Sequence, residues 1–418
     1  MDLLPANMGL YTGVGLCAAA GLRCATAMAR WLGEKRQQRR EFLASLREFE
    51  DQLDQLQARS PQTTDRAWKG YRRFVVERII REANDICSIY LAPEDCRPLP
   101  AFLSGQFLTL QVSLPGVSRP LVRCYSLSER PRADYYRLTV KASREQRNQP
   151  SLSCYLNDSL KAGDILESQA PRGDFTLLDD TRPAVLIAAG IGITPLLSMA
   201  SQLLHQPGER KVILFYGVRN SRDHAFRNRL QELAERHPRL HYIPCYSQPS
   251  PADELERNFV VRGRVETDLI RRMLPDADFP FYLCGPGNFM ENMVAKLRDW
   301  GVAEQDLHFE AFGPATVKRS AAATAVDSHT NVATASISFQ QSGLTAAWNG
   351  QSNSLLELGE AEGVNLPTGC RSGNCGLCAT RLLAGKVRYD QPPTAPLDPG
   401  FCLPCVARPD AEQITLDA

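Results

Sequence analysis

Ala184-Val185-Leu186-Ile187-Ala188-Ala189-Gly190-Ile191-Gly192-Ile193-Thr194-Pro195 is the stretch on which the fold of this chain turns. Six apolar residues in a row, with no polar alternation, ask for a strand buried on both faces of a parallel sheet. Two close glycines follow, and then a helical stretch around Leu196 to Leu204. Glycines at a helix start let backbone amides approach an anion, which the helix dipole also favours. Further apolar runs at Val212 to Tyr216 and Phe279 to Cys284 alternate with helical patterns at Arg227 to Glu235 and Phe289 to Trp300. That alternation predicts a doubly wound α/β domain over 179–312.

Upstream, over 65–178, the texture differs. Phe74-Val75-Val76, Phe107 to Val112 and Tyr136 to Val140 are β-rich and separated by Pro and Gly. Short strands at such intervals predict a small antiparallel barrel. Downstream, residues 313–333 hold Pro, Lys, Ser, Ala, Thr and Asp without periodicity, the composition of a flexible linker. A third domain is expected over 334–418, where Ser336 to Phe339 and Leu344 to Trp348 read as a hairpin and Ser354 to Glu362 as a short helix.

At 418 residues the chain is too long for one core and should be multidomain. A net charge of +1 gives no field that would favour nucleic acid. The amino-terminal segment, 1–60, reads as helical. Leu3 to Leu22 carries no charge and is followed by Arg23, Arg30, Lys35, Arg36, Arg39 and Arg40, the arrangement of a membrane anchor that keeps the later domains cytoplasmic. Pro5, Asn7 and Thr12 weaken that reading and leave an interfacial helix open. Phe42, Leu46, Phe49, Leu53 and Leu56 form one apolar seam, either a helix packed on its own domain or a short coiled-coil stalk.

Five of the 13 cysteines fall between Cys370 and Cys405. Four residues separate Cys370 from Cys375, two separate Cys375 from Cys378, and Cys405 lies farther on. Three thiols in a glycine-rich loop and one remote thiol suit a metal centre: [2Fe–2S] ligation has this spacing, and zinc is the competing reading. Gly369, Gly373 and Gly376 permit tight backbone curvature with amides aimed at the sulfurs. Cys402 and Cys405 compete for the fourth position.

The segment 334–418 resembles a plant-type ferredoxin domain, through the loop Cys370-Arg-Ser-Gly-Asn-Cys375-Gly-Leu-Cys378. The resemblance implies a β-grasp (α+β) fold and a one-electron [2Fe–2S] carrier on Cys370, Cys375, Cys378 and Cys405. The stretch 65–312 resembles the ferredoxin-NADP reductase superfamily, on Arg123-Cys124-Tyr125-Ser126, Gly190 to Pro195, Cys284-Gly285-Pro286 and Glu310-Ala311-Phe312. By that resemblance Arg123 pairs with the flavin phosphate, Tyr125 lies along the isoalloxazine ring, and Ser126 hydrogen-bonds near its reactive nitrogen. Ser153 matches the serine of the family's Gly-x-x-Ser pyrophosphate motif, in keeping with FAD, but Pro150 stands where glycine is usual, and that departure leaves FMN open. Gly190, Gly192 and Thr194 belong to the nicotinamide-dinucleotide loop. Cys284, with Gly285, lies beside the nicotinamide, and Phe312 covers the flavin. Ser126, Cys284 and Glu310 are the expected catalytic set. Arg219 lies where family members read the adenosine ribose, and NADH is favoured over NADPH.

These resemblances imply an NAD(P)H:acceptor oxidoreductase that passes electrons through FAD and [2Fe–2S] to a terminal oxygenase, hydroxylase or desaturase. It would be cytoplasmic, or anchored at the cytoplasmic face of a membrane through residues 3–22. The alternatives are a reductase for a soluble metalloprotein such as a hybrid-cluster protein, and a redox sensor.

Overall fold

The computed structural model divides the chain into two units, Met1–Gln62 and Thr63–Ala418. The structure describes residues 68–312 and 334–418, apart from 115–116, 118–119, 145–150, 252, 254–259, 370, 372, 374–375, 391–392, 394 and 396. The apolar run of residues 3–22, the seam at 42–56 and the linker at 313–333 lie outside the described residues. Among the described residues no helix is long and apolar enough to cross a membrane.

Six strands form the first sheet: β1 (Arg72–Ala83), β2 (Ile86–Pro93), β3 (Phe107–Val112), β4 (Leu121–Ser126), β5 (Tyr136–Lys141) and β6 (Ile165–Ser168). Their order is β4-β3-β6-β1-β2-β5, and every pair is antiparallel. Just beyond β4, an isolated antiparallel bridge joins Leu127 to Leu138 on β5, so the two ends of the sheet meet and it curls into a barrel. Phe74, Val76, Ile89, Leu91, Leu108, Leu110 and Leu138 fill it. β1 runs well past the Phe74-Val75-Val76 nucleus because its pairing with β2 continues through two register shifts. Bulges of this kind bend a strand without ending it. Between β5 and β6 lies helix α1 (Leu152–Asp158), capped by Ser151, whose Oγ accepts from the Cys154 amide at 3.4 Å.

The second sheet comprises β7 (Ala184–Ala189), β8 (Val212–Val218), β9 (Leu240–Tyr246), β10 (Val261–Arg262), β11 (Phe281–Gly285) and β12 (Leu307–Ala311). It is parallel throughout, in the order β10-β9-β8-β7-β11-β12. Its helices are α2 (Ile193–His205), α3 (Arg227–Arg236), α4 (Thr267–Met273) and α5 (Gly287–Trp300). The uninterrupted apolar run of β7 is used on both faces. Leu186 and Ala188 pack with α2 residues, while Val185 and Ile187 pack with Met290, Val294 and Leu297 of α5.

The third module carries β13 (Ala335–Phe339), β14 (Leu344–Trp348), helix α6 (Leu355–Ala361), β15 (Thr380–Ala384), β16 (Val387–Tyr389), β17 (Phe401–Cys402), β18 (Ala407–Pro409) and β19 (Gln413–Leu416). Five strands run β14-β13-β19-β15-β17, with β19 parallel to β13, and β16 pairs with β18 as a separate ribbon. Ser354 caps α6, and Leu355, Leu356 and Leu358 join Phe339, Trp348 and Ile414 in the core.

In the parallel sheet the strand order reverses between β7 and β11. Chain leaving β7 heads one way along the sheet and chain leaving β11 the other, so a crevice opens at their carboxyl ends. There Gly192 lies so close to β11 that a Cβ on it would fall 2.1 Å from the Cys284 carbonyl oxygen. Gly192→Ala must therefore move main chain, and overpacking of this kind costs about 1–3 kcal/mol. The expected result is a lower unfolding temperature for this module, which thermal denaturation followed by circular dichroism would register; an unchanged midpoint would mean that the loop yields freely.

Candidate functional site

The crevice at the strand reversal gathers several of the residues singled out from the sequence. Gly190 has φ +56, and a Cβ there would meet nothing, so its backbone borders open space. Thr194 ties the turn down by donating its hydroxyl to the Ile191 carbonyl at 3.0 Å. Across the crevice, Gly285 packs against Ala189 and Phe289, and a Cβ on it would come within 2.9 Å of the Ala189 Cβ. Glycine at 192 and 285 therefore serves close approach between the two chain segments, and glycine at 190 serves the turn.

Cys284 stands opposite Glu310 in the β11–β12 register. The cysteine is wholly buried, and burial, followed by the nearby Glu310 carboxylate, pushes its thiol well above the usual range. It is a neutral thiol, not a nucleophilic thiolate. Burial also lifts the Glu310 carboxyl to about 8, and its buried Oε2 has no hydrogen-bond partner among the described residues. An orphaned buried acceptor beside an open crevice fits a site meant to take a polar ligand group. Phe312, just past β12, is exposed.

On the barrel, β4 presents Arg123, Tyr125 and Ser126. Alternation along the strand puts Arg123 and Tyr125 on one face. Tyr125 is partly exposed and packs on the barrel core, whereas Ser126 is buried. Arg123 donates from Nη1 to the Gly369 carbonyl at 3.2 Å. Gly369 is the chain neighbour of Cys370, so the arginine of the flavin-type motif abuts the cysteine loop. That contact joins residues 246 positions apart. Its sequence signal is only the glycine ahead of the first cysteine, which carries no address.

Cys370 and Cys375 lie outside the described residues. The other two candidate ligands converge: Cys378 Sγ and Cys405 Sγ are 3.1 Å apart and buried. Cys402 instead sits in β17 opposite Thr380 of β15. The loop curls through Arg371, Gly373 and Gly376, all with positive φ, as a chain wrapping around a compact group requires. Two buried sulfurs side by side, one at the end of this loop and one from the remote Cys405, fit thiolate ligation of an iron–sulfur cluster.

Two candidates are engaged elsewhere. Ser153 Oγ accepts from the Ser143 amide at 3.1 Å and lies 3.0 Å from Ser151 Oγ, so it fastens the start of α1 to the preceding loop. Arg219 makes a bidentate pair with Asp223, at 2.5 Å and 3.1 Å. The i,i+4 spacing of that pair is visible in the sequence.

Residues 186–296 match the oxidoreductase NAD-binding domain family, and residues 337–410 match the 2Fe-2S iron-sulfur cluster binding domain family. A flavohemoprotein of Halalkalibacterium halodurans is 40% identical over 251 residues, covering 59% of this chain and 61% of that protein. One of Rhodopirellula baltica is 39% identical over 254 residues, covering 59% and 62%. The chain thus spans about three-fifths of the length of these curated relatives. The FAD/NAD-binding domain of nitric oxide dioxygenase from Vibrio cholerae superposes with a TM-score of 0.53 at 31% identity, covering 58% of this chain and 99% of that one. Phthalate dioxygenase reductase, described as a modular structure for electron transfer from pyridine nucleotides to [2Fe–2S], gives 0.51 at 26% identity, covering 84% and 98%. The second match extends over most of the chain, as a flavin and nucleotide module followed by an iron–sulfur module would require. The chain belongs to the ferredoxin-NADP reductase superfamily, as an oxidoreductase of that type with FAD, nicotinamide and [2Fe–2S] as its cofactors.

Proposed function

We propose that the chain is the reductase component of an oxygenase, hydroxylase or desaturase system. A flavin bound there would supply the exchange between hydride from reduced nicotinamide and single electrons for the [2Fe–2S] cluster. The observation that carries this reading is the Arg123–Gly369 hydrogen bond, because it sets the flavin motif against the cysteine loop and so shortens the path between the two redox centres.

The work is divided among residues of all three modules. Arg123 uses Nη1 on the Val122 and Gly369 carbonyls and so steadies the cysteine loop, while Nε and Nη2 serve the flavin phosphate. Tyr125 provides the wall along the ring, Ser126 a hydrogen bond near its reactive nitrogen, and Phe312 the cover. The Gly190–Gly192 turn and Thr194 receive the dinucleotide pyrophosphate. Cys284, as a neutral and buried thiol, and Gly285 form the floor on which the nicotinamide rests. Glu310 holds a proton at neutral pH and so presents a donor to the ligand. Asp223 neutralises Arg219, which supports NADH as the donor, since a 2′-phosphate would need that guanidinium. Cys370, Cys375, Cys378 and Cys405 hold the cluster in a β-grasp module. A membrane-proximal acceptor is the finer part of the reading and rests on residues 3–22 alone. The oxygenase class of acceptor is supported by the likeness to phthalate dioxygenase reductase and to the Amycolatopsis cytochrome P450 reductase, the latter at 30% identity and a TM-score of 0.50.

Three measurements test this. Anaerobic addition of NADH to the holoprotein should bleach the flavin and produce a rhombic [2Fe–2S]⁺ signal at low temperature; bleaching without that signal would break the path at its last step. Cys405→Ser should abolish the cluster absorbance and bound iron while leaving the flavin in place, whereas Cys402→Ser should retain both.

The third concerns Glu310. Its carboxyl titrates at about 8 in the fold against an ordinary value of 4.5. Between those values the folded state holds a proton that the unfolded chain has released, so stability falls as pH rises through that window and levels off above it. Glu310→Gln should remove this slope, an effect on the order of a few kcal/mol by pH 8. Denaturant melts of both proteins at pH 5 and pH 8 would read it, and parallel slopes would exclude the raised carboxyl.

A further inference from the structure

Three residues beyond Ser126 the chain reaches Glu129, which is 4% exposed. A carboxylate so deeply buried has to be paired. Arg137 of β5 approaches it with Nη1 at 3.1 Å from Oε2. Arg229 of α3 reaches it from the parallel-sheet module, donating from Nη2 to Oε1 at 3.0 Å and to Oε2 at 2.8 Å. Burial alone would raise this carboxyl, but Arg137 and then Arg229 override it and hold it down at about 2.

The pairing is embedded in further contacts, some within the barrel and some between the two modules. Arg137 donates from Nε to Ser128 Oγ at 3.2 Å and from Nη2 to the Ser128 carbonyl. Its guanidinium lies 5.0 Å from the ring of Phe226, the residue that opens α3 in a left-handed conformation with φ 60. The main-chain carbonyl of Glu129 accepts from Ser198 Oγ of α2 at 2.7 Å, and Ser104 Oγ donates to the Ser198 carbonyl at 3.1 Å. Residue 129 is thus held by its backbone to α2 and by its side chain to α3.

Stability alone is a poor reason for such a network, because well-packed apolar residues often replace buried ion pairs at no cost. Directional bonds at both ends of one residue do fix a single relative orientation. One end of this link continues from the Arg123–Ser126 strand, and the other is α2, which follows the Gly190–Gly192 turn. Hydride transfer is sensitive to that geometry: a misplacement of about 1 Å can cost on the order of a hundredfold in rate.

We propose that Glu129, locked between Arg137 and Arg229, is a positioning residue that sets the distance and angle between the flavin motif and the nicotinamide loop. The proposal rests on the flavin–nicotinamide reading of the proposed function. Arg229→Gln is the informative variant, since it removes the side-chain link from residue 129 to α3 and leaves in place the Glu129–Arg137 pair inside the barrel and the main-chain bond to Ser198. Arg229→Lys keeps the charge. Arg236→Gln, at an exposed pair with Glu232 on the same helix, is the control.

The measurement is anaerobic stopped-flow bleaching of the flavin in the holoprotein, by NADH and by NADH deuterated at the transferred position. For Arg229→Gln, the flavin content and oxidised spectrum should match wild type. The hydride rate at saturating NADH should fall about tenfold or more, the isotope effect should rise, and KM should stay within about twofold. Arg229→Lys should recover part of the rate, and Arg236→Gln all of it. A wild-type hydride rate in Arg229→Gln overturns the proposal, and so does a loss accounted for by weaker NADH binding. If Arg229→Gln fails to retain flavin, Glu129→Gln, which keeps the shape and removes the charge, takes its place: an unchanged hydride rate there overturns the proposal. Wild-type flavin that NADH does not bleach sinks the underlying reading as well, whereas normal wild-type bleaching with an unaffected Arg229→Gln sinks the proposal alone.

Discussion

The main chain of residue 192 rests on the carbonyl of Cys284 with no room for even a methyl group between them. That contact follows from reversing the strand order of a parallel sheet, which places β7 and β11 side by side while sending their following segments in opposite directions. Everything in the nucleotide crevice hangs on it. Beside this contact the turn at Gly190 borders open space, and Cys284 is wholly buried in the core shared with α2. Glu310, one strand further out, is left with an acceptor that none of the described residues satisfies.

The cysteine centre depends on a different constraint. Cys378 precedes β15 and Cys405 follows β17, and those strands pair through Thr380 and Cys402. The sheet therefore brings together two thiols that the sequence separates, and it commits Cys402 to the core. The contact between Arg123 and Gly369 then joins this centre to the barrel.

What is legible in the sequence is local. The six apolar residues of β7, the glycines after it and the capping serine ahead of α6 each state their structure within a few positions. The preference for Cys405 over Cys402 draws on the ferredoxin resemblance at Leu403-Pro404-Cys405; in the fold, Cys405 Sγ lies 3.1 Å from Cys378 Sγ. Illegible are the links whose partners lie far apart in the chain. Glu129 reads as an ordinary surface carboxylate until Arg229 arrives from 100 residues away. The β16–β18 ribbon and the two-residue edge strand β10 are too short to leave a periodicity. Arg219 shows the same limit close by: taken alone it is a cation open to a phosphate, and in the fold it pairs with Asp223, four residues on.

The position of β19 bears on how the protein is synthesised. Residues 413–416 lie between β13 and β15 in the third module, so the sheet has a gap at its centre until they are in place. A chain emerging from the ribosome at about 5–20 residues per second exposes the 370–378 thiols some seconds before that gap can close. Pairing of β13 with β19 also spans nearly the whole module, and non-local pairing of that kind is slow to form. Thiols of the cysteine loop are therefore synthesised before the strand that completes the sheet, an interval in which thiolates are open to oxidation.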